Sequence, residues 1–336
     1  MLKRLLGRVG LVRVARPILG GAGAVLCFHR LGPPDPGLIF DANQRNIVAA
    51  QAFGQLLDTL AADGVAVVTL DEALSRLAAP RVGRFVCLTF DDGYRDNHDL
   101  LLPILEARRV PATVYVAPGL IDGTAPLWWY ALDEAIARAP RLRLPLPEET
   151  DLPAADRAAK ERAFAAAARV MTTAPAPIRA TLMAALVERH GVDVRQLAAR
   201  HMMDWAMVRR LAASPVIEIG AHTLTHPPLA TLAEAEAAAE MAGSRERLEA
   251  ETGRMVRHLA FPYGTRATTG AREARIAAAL GFRTAVTTLA GNLTRRRAAA
   301  RHAWPRHGMG PADGPDALRL RLAGVFNPFH AARPDR

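Results

Sequence analysis

Residues 85–97 read FVCLTFDDGYRDN, an apolar, β-rich run that ends at Phe90 and is followed at once by two adjacent carboxylates, Asp91 and Asp92. A strand buried on both faces reads as such a run, as in a parallel sheet. Asp-Asp-Gly can serve a tight turn, with Gly93 supplying positive φ without a Cβ penalty. Two neighbouring negative charges nevertheless repel, so a turn alone does not account for both. The stretch alone fits a strand that ends either in a structural turn or in chemistry, and the remaining strands decide between the two readings.

Similar runs recur along the chain. AVLCF (24–28), VAVVTL (65–70), FVCLTF (85–90), ATVYVA (112–117), VIEIG (216–220), VRHLAF (256–261) and FRTAVTT (282–288) read as strands. Helical patterns at 51–62, 71–78, 98–109, 232–251 and 270–280 separate them. Strands alternating with helices predict parallel β-structure wound right-handedly. Seven such units predict an α/β fold, a barrel complete or incomplete rather than an open sheet. In such barrels the chemistry sits in the loops after the strands. His29 follows the first run and Asp91–Asp92 the third. His222 and His226 of AHTLTH follow the fifth, and Tyr263 of PYG the sixth. Four strands thus end in residues able to bind a metal, move protons or polarise a carbonyl.

Between about 127 and 211 lies an interval rich in Ala, Arg, Leu and Pro, including DRAAKERAFAAAARVM (156–171). It carries no β pattern and reads as a helical insertion, either a cap over the barrel or inert packing. The division expected is a basic N-terminal helix at 1–23, a barrel at 24–310 and a tail at 311–336.

Composition narrows the function. Of 336 residues half are hydrophobic, enough for a buried core and too many for a disordered chain. Cys27 and Cys87 each sit inside an apolar run and read as small buried hydrophobes rather than a disulfide. The net charge is +10, carried almost wholly by arginine, since Lys3 and Lys160 are the only lysines. That charge could favour anionic lipid, nucleic acid or acidic glycans. No nucleic-acid-reading motif or aromatic ladder accompanies it, so nucleic acid is not expected as a partner. The arginine, alanine and proline preference also fits a GC-rich genome. The opening MLKRLLGRVGLVRVARPILGG (1–21) is interrupted by Arg4, Arg8, Arg13 and Arg16, so it has no continuous apolar core of a signal peptide. It reads as a basic amphipathic helix on an anionic membrane surface, or as a solvated helix. No stretch is long and apolar enough to span a bilayer. A cytoplasmic protein, free or peripheral to the inner membrane face, is expected.

His222 and His226 are four apart, the spacing that puts two imidazoles on one side of a helical turn. With Asp92 from another strand end they make a His₂Asp set with open positions. A cation against Asp92 would offset its repulsion from Asp91, leaving Asp91 free to act as a base. Zinc suits these ligands; cobalt, nickel or manganese could take them.

TFDDG (89–93), HTLTH (222–226) and FPYG (261–264) together resemble the NodB-type polysaccharide deacetylases, carbohydrate esterase family four. CFHR (27–30) and GFRTAVTT (281–288) lie where such proteins have similar strands. The resemblance runs from about 24 to 310 with the helical interval outside the shared core. It implies a distorted (β/α)7 barrel of the glycoside hydrolase/deacetylase type. It also implies metal-dependent removal of N-acetyl groups from amino sugars in an oligosaccharide, polysaccharide or glycolipid. Carried over, Asp91 is the general base, Asp92, His222 and His226 hold the metal, and the backbone N–H of Tyr263 supports the oxyanion. The general acid departs from the usual pattern. A late leucine-and-histidine motif is not clear, although His307 and His302 stand near it. His29 matches the subgroup resembling exopolysaccharide deacetylases and is preferred. Ala260 stands where many members have the arginine that orients the base; Arg306 of WPRH either replaces it or is a surface arginine. Trp128, Trp129 and Trp205 read as sugar-stacking or as core residues, with Trp205, in MMDW (202–205), ranked first.

Overall fold

The computed structural model describes residues 18–79, 83–145 and 151–327 together with Ala15. Eight strands form one sheet: β1 (Gly23–Phe28), β2 (Ala66–Val67), β3 (Phe85–Phe90), β4 (Ala112–Val116), β5 (Ile217–Ala221), β6 (His258–Ala260), β7 (Thr284–Val286) and β8 (His307–Gly308). Their order is β7–β6–β5–β4–β3–β1–β8, with β2 paired to the start of β3, and every pairing is parallel. Trp304 bridges to Val286 and Met309 donates its N–H to Cys27 O at 2.9 Å, so the segment around β8 links the two edges and curls the sheet into a barrel.

Strand alternation sorts the core into two shells. Val25, Phe85, Cys87, Tyr115, Ala260, Val286 and Trp304 fill the interior with Leu70, Ala73 and Leu77 of helix α2 (Leu70–Ala78), which plugs one end. Their neighbours Leu26, Phe28, Leu88, Phe90, Val114 and Ile219 point outward to the helical layer. There Phe28 stacks on Phe90 at 5.1 Å and meets the edge of Phe53 at 5.4 Å, Phe53 belonging to α1 (Ala50–Ala62). Each such ring, fully buried, contributes about 1.5–3 kcal/mol. The distorted (β/α) barrel expected from the sequence is the fold observed.

Details differ from the sequence reading for local reasons. The run 65–70 pairs only at 66–67, because Thr69 Oγ1 accepts the Glu72 N–H at 3.1 Å and starts α2. The runs 256–261 and 282–288 shorten to three paired residues each. The helical interval is not free of β-structure: Arg141–Arg143 and Asp151–Pro153 pair antiparallel between α3 (Trp128–Arg138) and α4 (Arg157–Thr173). Helices α5 (Ala176–His190), α6 (Val194–His201) and α7 (Trp205–Ala213) follow. The segment read as a C-terminal tail contains a helix, Pro315–Leu322. The N-terminal helix expected at 1–23 falls almost wholly outside the described residues. Among the described residues no helix is long and apolar enough to cross a membrane.

Candidate active site

The Asp91 N–H donates to Phe28 O at 3.0 Å, extending the β1–β3 ladder one residue beyond Phe90. The inward alternation of 85, 87 and 89 therefore continues to Asp91, whose carboxylate enters the barrel mouth. It is met there by Arg306: Nη1 lies 2.6 Å from Oδ1 and Nη2 2.6 Å from Oδ2, a bidentate pair. Both residues are buried, Arg306 completely. Burial pushes the Asp91 carboxyl up, but the guanidinium and the nearby imidazoles outweigh it and hold it below the ordinary value. Arg306 is thus not a surface arginine; it reaches Asp91 from the segment just before β8, whereas Ala260 stands on β6. Cys27 Sγ, 3.5 Å from Asp91 Oδ2, adds a weak third donor. Its role exceeds that of the small hydrophobe read from the sequence. Inward parity along β1 was the signal that could have found it.

The backbone then turns through Asp92 at φ 77° and Gly93 at φ 87°. A left-handed aspartate costs about 1–2 kcal/mol, and aspartate is among the residues that tolerate it best. The turn aims Asp92 at the loop after β5, where Oδ1 stands 3.3 Å from Nε2 of both His222 and His226. The two histidines do not share a helical turn. They lie on a loop in which Thr223 and His226 adopt φ 61° and 58°. Thr223 Oγ1 accepts the His226 N–H at 3.1 Å and closes that loop. The Nδ1–H of His222 donates to Ala260 O at 2.8 Å, which leaves Nε2 as the bare nitrogen facing Asp92.

Burial pushes Asp92 up, yet the adjacent His222 and His226 imidazoles hold it well below the usual carboxylate range. Burial lowers both imidazoles; Asp92 and Asp91 more than offset this for His222, whereas His226, repelled by His222, stays depressed. A carboxylate and two imidazoles, of which one resists protonation, is a poor proton-bridged cluster. Three buried donor atoms within 4.8 Å of one another are a good fit for one divalent cation.

Tyr263 enters from the loop after β6 at φ 61°. Its hydroxyl accepts from Trp128 Nε1 at 2.8 Å and donates to His226 O at 3.4 Å, and its carbonyl accepts from Thr288 Oγ1 at 2.6 Å. Gly264 must be glycine: a Cβ there would lie 2.5 Å from Thr288 N. His29, half-buried, brings a ring nitrogen within 4.8 Å of the Asp91 carboxylate. His307 faces away from the mouth and pairs with Asn292 Oδ1 at 2.6 Å, while His302 pairs with Phe282 O at 2.7 Å. The six predicted residues Asp91, Asp92, His222, His226, Tyr263 and His29 therefore meet, and the two late histidines do not join them.

The tryptophan ranking reverses. Trp129 stands edge-on to His226 at 5.4 Å, and Trp128 bonds Tyr263, so α3 brings both to the mouth. Trp205 instead binds Asp122 Oδ1 at 2.7 Å beneath the Arg247 guanidinium, away from the donors. A cavity of about 370 Å³ opens beside the site, lined by Trp128, Met171, Arg179, Met183, His226 and Tyr263.

A (β/α) barrel with these carboxylates and imidazoles at one mouth has the architecture of the deacetylase barrels. The chain belongs to the polysaccharide deacetylase family: the family's sequence profile matches residues 79–142 and 156–285, more than half the chain. The match runs through most of the helical interval and breaks at the antiparallel ribbon. No curated protein matches the chain. Among solved structures, it is similar to the deacetylase PplD of Streptococcus pyogenes in complex with acetate, with 17% identity, TM-score 0.59, 89% of this chain and 97% of that one covered. It is similar also to IcaB of Ammonifex degensii, with 20% identity, TM-score 0.56 and coverages of 91% and 98%. A polysaccharide deacetylase of Bacillus cereus aligns at 15% identity and TM-score 0.57, over 89% of this chain and 68% of that one. At these identities the likeness is one of fold.

Proposed function

We propose that the protein is a metal-dependent hydrolase that removes N-acetyl groups from amino sugars of an oligosaccharide, polysaccharide or glycolipid. The observation that carries this reading is the juxtaposition of two differently wired carboxylates. Asp91 is clamped by Arg306, and Asp92 faces two imidazoles. Environments that separate adjacent carboxylates in this way assign them different tasks.

Asp92, His222 and His226 would hold the ion, zinc by the nitrogen-rich donor set. When bound, such an ion supplies Lewis acidity, polarising the acetyl carbonyl and acidifying a hydrolytic water towards about pH 7. Asp91 remains ionised beside Arg306 and takes the proton from that water as its oxygen attacks the carbonyl carbon. The backbone N–H of Tyr263 donates to the developing oxyanion. His29 gives a proton to the amine nitrogen as the C–N bond breaks, since an amine anion is a very poor leaving group. Trp128, Trp129 and the neighbouring cavity supply aromatic and apolar surface for the sugar face.

The test is acetate release from N-acetylglucosamine oligomers by chelator-stripped protein, before and after zinc is restored. Activity is expected to return with zinc and to be absent from Asp91→Asn. Release from O-acetyl esters but not from amides would replace this reading with that of an esterase.

A further inference from the structure

The barrel interior carries polar residues at both ends. Along β5 the residues that alternate inward are Glu218 and Gly220, followed just past the strand by His222; along β6 they are His258 and Ala260. His222 belongs to the mouth. Between the ends Tyr115 fills the interior, so closely that a Cβ on Gly220 would lie 2.3 Å from its ring. Glu218 and His258 therefore form a layer of their own at the N-terminal end of the strands, joined by Asp71 from the first turn of α2.

His258 is fully buried, and its Nε2 lies 3.3 Å from Asp71 Oδ1 and 3.3 Å from Glu218 Oε1. Neither His258 Nε2 nor Asp71 Oδ1 makes a hydrogen bond of normal geometry. Leaving such atoms buried and unsatisfied costs about 1–3 kcal/mol each. The other ring nitrogen is engaged by Thr284 Oγ1 at 2.8 Å, which fixes the ring and aims Nε2 between the carboxylates. Arg283 takes the outer oxygen of Asp71, Oδ2, at 2.6 Å and leaves Oδ1 facing inward. The three donor atoms lie within 4.8 Å of one another, as in the Asp92–His222–His226 set, with the same 3.3 Å nitrogen-to-carboxylate spacing.

We propose that Asp71, Glu218 and His258 form a second divalent-cation site, at the end of the barrel opposite the active site. Two carboxylates and one imidazole are a harder donor set than that at the mouth and suit Mn²⁺ as well as Zn²⁺. Asp71 and Glu218 line a surface cleft of about 720 Å³, which gives the ion a path in. An ion there ties α2 to β5 and β6, elements far apart in the chain. The N-terminal face of such barrels serves stability rather than catalysis, so the ion is structural. The rival occupant of the same point is a proton on His258 Nε2.

Counting metal separates the two. Full-length protein is stripped with chelator, dialysed against Mn²⁺ or Zn²⁺, and the bound ions per chain are measured for wild type, Asp92→Asn, Glu218→Gln and the double variant. Two ions are expected in wild type, one in each single variant and none in the double. In the Asp92→Asn background, metal at a hundredfold excess over its Kd is expected to raise Tm by about 5 °C. Adding Glu218→Gln, or equally Asp71→Asn, to that background should abolish the rise, and either single variant in the otherwise wild-type chain should keep acetate release largely intact. One ion in wild type, lost in Asp92→Asn and kept in Glu218→Gln, overturns the second site and leaves the proton. No ion in wild type overturns both sites.

Discussion

Asp91 pays for its buried position through Arg306, and the two residues are best considered as one unit. An isolated carboxylate in the barrel interior would be strongly disfavoured. Removing one partner of such a buried pair costs about 3–5 kcal/mol, because the other charge is left uncompensated. Arg306→Met is therefore expected to lower stability by that amount and acetate release by about a hundredfold or more, the scale of a general base's contribution. Arg306→Lys keeps the charge without the fork and should fall between. Thermal unfolding and turnover measured on the same samples check both; a Met variant with wild-type turnover would show that Asp91 needs no clamp. A second residue makes a pH prediction. His201 is buried on α6 against the Tyr130 ring and accepts a hydrogen bond from Arg200 Nε at 3.0 Å. Burial first, then Arg30 and Arg200, push it from 6.5 down to about 4. The unfolded chain thus binds the proton first as pH falls. The stability that His201 contributes is whole above about pH 6.5 and is lost towards pH 4, amounting to about 3 kcal/mol. Urea midpoints at pH 7, 5.5 and 4.5 should fall more steeply for wild type than for His201→Gln. Parallel curves would refute the assignment.

Elements were legible where their burial was complete. β1, β3, β4 and β5 are apolar runs because a parallel sheet covers both faces, and their ends fall within a residue or so of the expected ones. The short strands were overlong or missed because their paired length depends on distant partners: β8 exists only where Leu26 and Cys27 offer an edge. The histidine loop shows a subtler limit. A spacing of four suits a helical turn and a left-handed loop equally. The sequence did hold a signal against the helix, since Pro227 disfavours the α region for His226 before it. The candidate site was nonetheless readable, because strand ends locate a mouth whatever the loops do. Loop geometry can be tested at Gly264. Alanine there meets both a positive φ of 61° and a contact of 2.5 Å with Thr288 N. Gly264→Ala is expected to cost about 1–3 kcal/mol and, by displacing the Tyr263 N–H, to lower kcat about tenfold to a hundredfold. Gly253, at φ 64° with nothing nearby, is the control, and alanine there should cost about 1 kcal/mol and leave kcat unchanged. Equal effects on kcat at the two glycines would remove the case for a positioned Tyr263.

At the scale of the whole molecule the barrel supplies the chemistry, and the helical cap supplies much of the wall beside it. What the cap's alanine-rich sequence could not show is which helix face meets the barrel, because alanine packs equally well against core and neighbour. The structure resolves this through one hydrophobic cluster that joins Tyr94, Ala117 and Leu120 of the barrel loops to Trp128, Phe164, Met171 and Met183 of the cap. Arg179 of α5 spans the junction, with Nη1 donating to Ala174 O at 2.6 Å within the cap and to Thr231 Oγ1 at 2.8 Å beyond β5. It lines the same cavity as His226 and Tyr263 but touches neither Asp91 nor the Asp92–His222–His226 donors. On the proposed function, a group so placed would contact substrate away from the reacting bond, with contacts alike in the ground and transition states. Removing such uniform binding raises KM and spares kcat. Arg179→Met is therefore expected to raise KM for an N-acetylglucosamine oligomer about tenfold while kcat stays within about twofold. Steady-state kinetics over a series of chain lengths provide the check. A fall in kcat at constant KM would instead make the cap part of the catalytic apparatus, acting through Trp128 on Tyr263.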